Sequence, residues 1–304
     1  ALIIPVANLL NEEIPVSTAL TKVISACECP VLVLGLGLQA PKDKSVDSID
    51  LPQKTIEFLR ILSEKSALVS CRGQKTLRLC SKYTDISSFR AHGCPSILIS
   101  PDTSVGQTLQ ANLNSYNDLV AQGLCPRTVY TVGNIVKFLS RAGLDHGSAN
   151  SAKFEQLVML EAIKNPNKRI IFQTEPFLFK ALDMTDAGHS VPAEMILEKF
   201  GLPHFSYSCD MDSLSIRSLP SRLLYFSSAK EWISSLDGAS FAVSQRIHGT
   251  IAALNAGVPA VCVYHDARTE ELCQIMGVPS ADINSLLPKM QSNGIDEAIT
   301  NAIQ

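Results

Sequence analysis

Charge is scarce in this sequence: charged residues make up 18% of 304 positions and sum to a formal net charge of -3. A chain so nearly balanced has no basic surplus with which to neutralise a nucleic-acid backbone, so any anion it binds must be held locally. Long apolar runs are missing as well. The longest, such as Pro30 to Leu38 and Pro259 to Tyr264, are strand-sized and fall far short of the roughly 20 residues that span a bilayer. No N-terminal stretch joins a charged start, an apolar centre and a cleavage site, so a secretory leader is not expected. Cysteines number nine, an odd count scattered through apolar or helical contexts. That pattern argues against a disulfide framework and for a reducing, cytoplasmic compartment, with all nine as structural or free thiols. Cys27-Glu28-Cys29 has no second ligand pair at zinc-like spacing, so no metal site is expected.

What is present is an apolar fraction of 46% and a regular alternation of strand-like and helix-like segments. The length suggests about two domains. Leu2 to Val6, Pro30 to Leu34, Ala67 to Ser70 and Ser96 to Ser100 read as strands; Ser17 to Ala26, Thr55 to Ser63 and Gln74 to Tyr83 read as helices. Gly35-Leu36-Gly37 lacks the third glycine of a dinucleotide fingerprint and reads as a turn at the sheet edge. From Asp102 to Arg127 the pattern loosens, with Asn112, Asn114, Ser115 and Asn117 clustered and Gly123 and Pro126 as breakers. This stretch is the expected linker. A second series follows, with strands at Thr128 to Val132, Arg169 to Gln173 and near Phe205 to Ser208. Its helices are expected at Ala152 to Lys164, Pro192 to Phe200 and Ile295 to Ile303, and Lys230 to Leu236 precedes the strand that leads to the turn described next. Strands alternating with helices in both halves give an α/β chain of two Rossmann-like domains facing a cleft, spanning 1–126 and 127–304.

The most informative stretch is Ser244-Gln245-Arg246-Ile247-His248-Gly249-Thr250, between the apolar run Ala239 to Val243 and the small-residue segment Ile251 to Ala256. It reads as a strand, a tight turn and a helix closed by Gly257. The first amides of such a helix lack intrahelical partners and the dipole there is positive, so an anion can dock. Arg246 offers a planar fork for carboxylate or phosphate, and His248 can hold or hand over a proton. Gly249 lets a ligand approach the backbone. The next unit repeats the design: Ala260 to Tyr264 as strand, His265-Asp266-Ala267-Arg268 as loop, and Thr269 to Met276 as a helix ended by Gly277. Parallel strands would bring both loops to one carboxyl edge, so Arg246, His248, Asp266 and Arg268 are expected at one site. Arg72, before Gly73, occupies another strand-to-helix turn.

Taken together, Ser244-x-Arg246-x-His248-Gly249, Ala253-Leu254, Gly257-x-Pro259, Asp266-x-Arg268 and Glu271-Leu272 resemble the C-terminal signature of the polysaccharide pyruvyltransferase family. Gly35-x-Gly37, Arg72-Gly73 and Gly93-Cys94-Pro95 resemble its N-terminal landmarks, in order. The family's early Asn-x-Gly-Asp element is absent, and with Ala1 opening directly onto a strand, upstream sequence is expected to be missing. The resemblance implies a glycosyltransferase-B-like fold. It also implies transfer of a pyruvyl group from phosphoenolpyruvate to the hydroxyls of a glycan or lipid-linked sugar, forming a ketal. That chemistry needs no redox cofactor and no obligatory metal. It would place Arg246, Arg268, Arg72 and the amides of Gly249 and Thr250 on the donor, His248 as general acid or phosphate contact, and Asp266 as base or as the group orienting Arg268. A nucleotide-sugar glycosyltransferase using Glu270 or Glu271 on the ribose is the main alternative. A noncatalytic sugar-binding derivative is the other.

Overall fold

A computed structural model describes residues 1–40, 44–143, 146–173, 197–202 and 220–303. The expected strand near Phe205 to Ser208 and most of the helix expected over Pro192 to Phe200 lie outside the described residues. The chain packs as two compact units. The first comprises Ala1–Ile99 with Asp266–Val278, and the second Ser100–His265 with Pro279–Gln304. This partition differs from the 1–126 and 127–304 division read from the sequence.

Unit 1 holds a parallel sheet of β1 (Leu2–Pro5), β2 (Val31–Leu36), β3 (Ser66–Cys71) and β4 (Phe89–Ala91), in that order. Val31 and Val33 of β2 are fully buried, as a strand flanked on both sides in a parallel sheet requires. Helix α1 (Thr18–Ser25) precedes β2, and α2 (Gln53–Lys65) follows it. Proline at position 52 stands at the N-cap of α2, and Phe58, Leu59 and Leu62 recur at helical spacing on its buried face. Helix α3 (Gln74–Ser81) links β3 to β4. The expected strand from Ser96 to Ser100 is instead a 3-10 turn, Pro95–Leu98. Pro95 supplies the first-turn geometry, and Leu98 at 80% exposure has no sheet neighbour to pack on. The strand that belongs there is β4, only three residues long and too short to read as a pattern.

Unit 2 begins with α4 (Val105–Ala121), where a linker was expected. Leu109, Leu113, Tyr116 and Val120 recur at helical spacing inside the asparagine-rich sequence. Tyr116 is buried and stacks on Phe241 with ring centroids 4.5 Å apart, so the helix is fastened by an aromatic pair. Six strands form one wholly parallel sheet: β5 (Thr128–Val132), β6 (Lys168–Phe172), β7 (Leu223–Tyr225), β8 (Phe241–Ser244), β9 (Ala260–Tyr264) and β10 (Ser280–Asp282). Their order across the sheet is β10-β9-β8-β5-β6-β7. Counted within the unit this is 6-5-4-1-2-3, the doubly wound order of a Rossmann sheet. Helices α5 (Ile135–Arg141) and α6 (His146–Lys164) connect β5 to β6; α7 (Ala229–Ser235) and α8 (Ile247–Asn255) flank β8. Helix α9 (Ala267–Met276) follows β9, and α10 (Ile283–Asn293) and α11 (Ile295–Ile303) close the described chain. All five residues of β5 are buried. One face packs Tyr130, Val132, Val243 and Val261 against α6 and α10, and the other packs Val129, Ala242 and Ala260 against Ala252 and Ala253 of α8. The α/β class with Rossmann-like parallel sheets, expected from the alternation of segments, is the class observed. No helix among the described residues is long and apolar enough to cross a membrane.

Helix α9 leaves the second unit after His265, packs in the first, and ends at Gly277, whose φ of 63° lies in the left-handed region that glycine tolerates. The chain returns to the second unit at Pro279.

Candidate functional site

In unit 2 the chain winds from β5 outward to β6 and β7 on one side, and to β8, β9 and β10 on the other. Strands β5 and β8 therefore flank the topological switch point, and the crevice outside their carboxyl ends is where open α/β sheets bind ligands. Ser244 is the last residue of β8, and its register partner is Thr131 of β5. The turn that follows is shorter than the sequence suggested. Helix α8 already starts at Ile247, with Arg246 as its N-cap residue, so His248, Gly249 and Thr250 lie in the first turn.

Ser244 organises this turn. Its Oγ accepts the Arg246 N–H at 2.9 Å and donates to the Arg246 carbonyl at 2.6 Å, the local side-chain-to-backbone pattern typical of serine at turns. The guanidinium of Arg246 is half-buried and its Nε donates to Gln173 Oε1 at 3.0 Å, just beyond β6. His248 is exposed. Gly249 and Thr250 differ from their expected use. Both are buried, and their amides donate to the Arg246 carbonyl at 2.9 and 3.3 Å, so neither N–H is open to a ligand. A Cβ on residue 249 would sit 2.6 Å from Thr131 Cβ and overlap Ser244 Oγ. Glycine is needed there for the packing of α8 on β5 and β8, not for the approach of a ligand.

The remaining predicted site residues lie in unit 1. Asp266 is the N-cap of α9: its Oδ1 accepts the Thr269 N–H at 2.8 Å, and its Oδ2 lies 3.3 Å from Arg268 Nη2. Arg72 follows β3, is only 7% exposed, and donates from Nε to the Gly35 carbonyl at 3.0 Å. Burial pushes its guanidinium below the ordinary arginine range; Cys94 opposes that shift, and the positive charge of Arg268 adds to it. Of the two glycines of Gly35-Leu36-Gly37, Gly37 makes room for Arg72, while Gly35 has a φ of 84° and packs against the Val6 carbonyl. A Cβ at position 37 would lie 2.8 Å from Arg72 Cδ.

In sequence, Glu271 stands out only as part of the Glu271-Leu272 signature and as a possible ribose contact. Its buried carboxylate accepts the Thr76 N–H at 3.0 Å on Oε1 and the Thr76 hydroxyl at 3.3 Å on Oε2, at the start of α3. Thr76 Oγ1 in turn accepts the Leu38 N–H at 3.1 Å. Burial raises the Glu271 carboxyl above its ordinary range, while the hydrogen bonds from Thr76 and the charge of Lys75 pull it back. Glu270 lies 3.4 Å from Lys75 Nζ. The Arg72-Gly73 turn is consequently closed by an internal carboxylate, and Gly73 is glycine because any Cβ there would overlap Glu271. No sequence signal short of the long-range pairing itself could have shown this.

Residues 196–267 match the family model of polysaccharide pyruvyl transferases. The matched segment contains β8, the Ser244–Arg246 turn and all of β9. No curated protein matches the chain in sequence. Among solved structures, the UDP-N-acetylglucosamine 2-epimerase from Rickettsia bellii is similar over 93% of this chain and 72% of that one, at 13% identity and a TM-score of 0.33.

Proposed function

We propose that the protein transfers the pyruvyl group of phosphoenolpyruvate to hydroxyls of a sugar destined for a cell-surface or exported polysaccharide, forming a ketal. One observation carries this reading: within the segment that matches the family model, Arg246 and His248 stand at the switch point of a doubly wound sheet. Phosphoenolpyruvate presents a carboxylate and a phosphate on a small enol, so its site needs cationic forks more than apolar surface.

The reaction adds a proton to the methylene carbon, bonds a sugar oxygen to the enol carbon as that hydroxyl loses its proton, expels phosphate, and bonds a second sugar oxygen as its proton leaves. In this reading Arg246 grips the donor, its orientation fixed by Gln173. His248, open to solvent, supplies the proton or assists the departing phosphate. Asp266 is assigned as the group that orients Arg268, because both of its oxygens are already committed within α9. Gly249 and Thr250 are assigned to packing. A glycan or lipid-linked sugar is the acceptor, and the cytoplasm, where phosphoenolpyruvate is made, is the compartment. The nucleotide-sugar alternative loses its ribose contact, since Glu271 is spent on Thr76 and Glu270 on Lys75.

The test is Arg246→Ala, read as phosphoenolpyruvate affinity beside melting temperature, with phosphate release followed over a panel of glycans. A charge-assisted contact contributes about 1.5–3 kcal/mol, so affinity should fall roughly 10- to 150-fold with the melting temperature unchanged. Unchanged affinity with a lowered melting temperature would make Arg246 a structural residue.

A further inference from the structure

The loop between α1 and β2 carries two thiols side by side. Cys27 is tied to the end of α1 by its N–H, which donates to the Ile24 carbonyl at 3.1 Å. Cys29 is followed by Pro30, which biases the residue before it toward extended backbone, and the Pro30 carbonyl accepts the Leu2 N–H of β1 at 2.8 Å. With both ends of the loop held, the Cys27 and Cys29 sulfurs stand 3.3 Å apart, and Cys27 Sγ also lies 3.6 Å from the Cys29 carbonyl. Cys29 is exposed, whereas Cys27 is half-buried and packs against the core of unit 1. The hydrogen bond from Cys27 holds the Cys29 thiol below the ordinary thiol range, against an opposing contribution from desolvation. The pair formed by Cys71 and Cys80 has the opposite character. Both are fully buried, and the hydrogen bond with Cys71 together with burial pushes the Cys80 thiol well up. Cys94, Cys262 and Cys273 are buried too. Cys125 is exposed, but its Sγ accepts from Asn165 Nδ2 at 2.7 Å and meets no other thiol among the described residues.

We infer that Cys27 and Cys29 form a redox-active dithiol that exchanges with low-molecular-weight disulfides, with Cys29 as the attacking sulfur and Cys27 as the resolving one. Joining them asks for a shift of roughly 1.3 Å within an exposed loop, from 3.3 Å to the length of about 2.0 Å of a disulfide bond. The chemistry is thiol–disulfide exchange. Cys29 gives its proton to solvent and its sulfur attacks one sulfur of glutathione disulfide. That S–S bond breaks, and the first glutathione leaves as a thiolate and takes up a proton. Cys27 then loses its proton and its sulfur attacks Cys29 Sγ, expelling the second glutathione, which is protonated in turn. Two protein thiols are oxidised to one disulfide, and one disulfide is reduced to two thiols. The half-buried position of Cys27 keeps it from meeting the incoming disulfide first, and its contact with Cys29 Sγ places it where the mixed disulfide is resolved. The loop enters β2 at its amino end, opposite the carboxyl edge that carries the strand-to-helix turns of this parallel sheet, so the dithiol does not depend on the pyruvyl-transfer reading.

The experiment incubates the full chain with glutathione disulfide at neutral pH, quenches with acid, alkylates and digests, and weighs the peptide holding residues 27 and 29 by mass spectrometry. In the wild type that peptide is expected to lose two hydrogen atoms and to carry no lasting glutathione, while Cys71 and Cys80 stay reduced. Cys27→Ser, which lacks the resolving sulfur, should hold glutathione on Cys29 at roughly ten times the wild-type level or more. Cys29→Ser should form no internal disulfide, and should take up glutathione at residue 27 roughly tenfold more slowly than Cys27→Ser does at residue 29. If Cys27→Ser fails to fold, the wild type and Cys29→Ser decide, because residue 29 is exposed. A wild type that keeps both thiols free, or that accumulates a lasting glutathione adduct on Cys29 without an internal disulfide, would overturn the inference. So would oxidation of Cys71 and Cys80 as fast as that of Cys27 and Cys29, or equal rates of glutathione uptake in the two single variants.

Discussion

Replacing Gly73 with alanine should cost far more than one methyl group ordinarily does. The φ of Gly73 is -178°, extended backbone that alanine adopts freely, so no conformational strain is involved. The added Cβ would instead overlap Cγ, Cδ and Oε1 of Glu271. Either the core distorts, at about 1–3 kcal/mol for overpacking, or Glu271 swings away and forfeits its two hydrogen bonds. Bonds to a charged group are worth roughly 1.5–3 kcal/mol each. Part of that loss is returned when the carboxylate regains water, because burial works against its ionised form. A net destabilisation of about 1–3 kcal/mol follows from the smaller of the two routes. Urea denaturation of the full chain, followed by a probe in unit 1, measures it. The decisive comparison is the double-mutant cycle with Glu271→Ala. Once the Glu271 side chain is gone, Gly73→Ala should be nearly free, giving a coupling energy of about 2 kcal/mol. If Gly73→Ala costs the same with and without Glu271, the carboxylate does not occupy the α3 N-terminus and the account of the Arg72-Gly73 turn fails.

Three further outcomes are expected. The Glu271 carboxyl titrates above its ordinary value of 4.5 in the folded protein, so its contribution to stability is full below that value and is lost as pH rises through the folded value. Glu271→Gln should therefore gain on the wild type between pH 4 and pH 7, and a stability difference flat across that range would refute the burial argument. His248→Gln should lower turnover at saturating phosphoenolpyruvate by roughly 10²–10⁴-fold if His248 donates a proton, with an unchanged melting temperature because the side chain is exposed; near-wild-type turnover would leave it a binding role at most. Tyr116→Ala removes the ring stacked on Phe241 and should cost about 3–5 kcal/mol in denaturant titrations, whereas a linker residue would cost nothing measurable.

The architecture was legible wherever one strand and its neighbouring helix fall together in sequence. Val31, Val33 and the buried run of β5 announce central parallel strands, and the glycine at 277 marks the end of α9 as its position suggests. The fold was misread where a local cue contradicted a tertiary one. The asparagines of α4 imitate a linker, yet Tyr116 and its helical neighbours commit it to the second unit. The isoleucine and leucine after Pro95 imitate a strand, yet Pro95 starts a 3-10 turn there. At the candidate site, Arg246 and His248 stand at the strand-to-helix junction where they were placed. Gly249, Thr250 and Asp266 keep their positions there or at the next junction, but the amides of Gly249 and Thr250 are engaged by the Arg246 carbonyl and the Asp266 carboxylate by the Thr269 amide and Arg268. Pairings such as Thr76 with Glu271 join residues 195 apart in the chain, and no periodicity encodes a partner at that distance.

Helix α9 imposes a delay on biosynthesis. Unit 1 is begun by the first 99 residues but is completed only by residues 266–278. At translation rates of about 5–20 residues per second, the nascent first unit must wait roughly 10–35 s for that helix. Through that interval the α3 N-terminus lacks its carboxylate. The whole of the second unit's Rossmann order, except β10 and the helices after it, emerges from the ribosome in the meantime. An incomplete first unit is thus an obligatory intermediate of synthesis, and slowing the ribosome over the codons for residues 100–265 would lengthen its exposure to chaperones and proteases without changing a single residue of the finished protein.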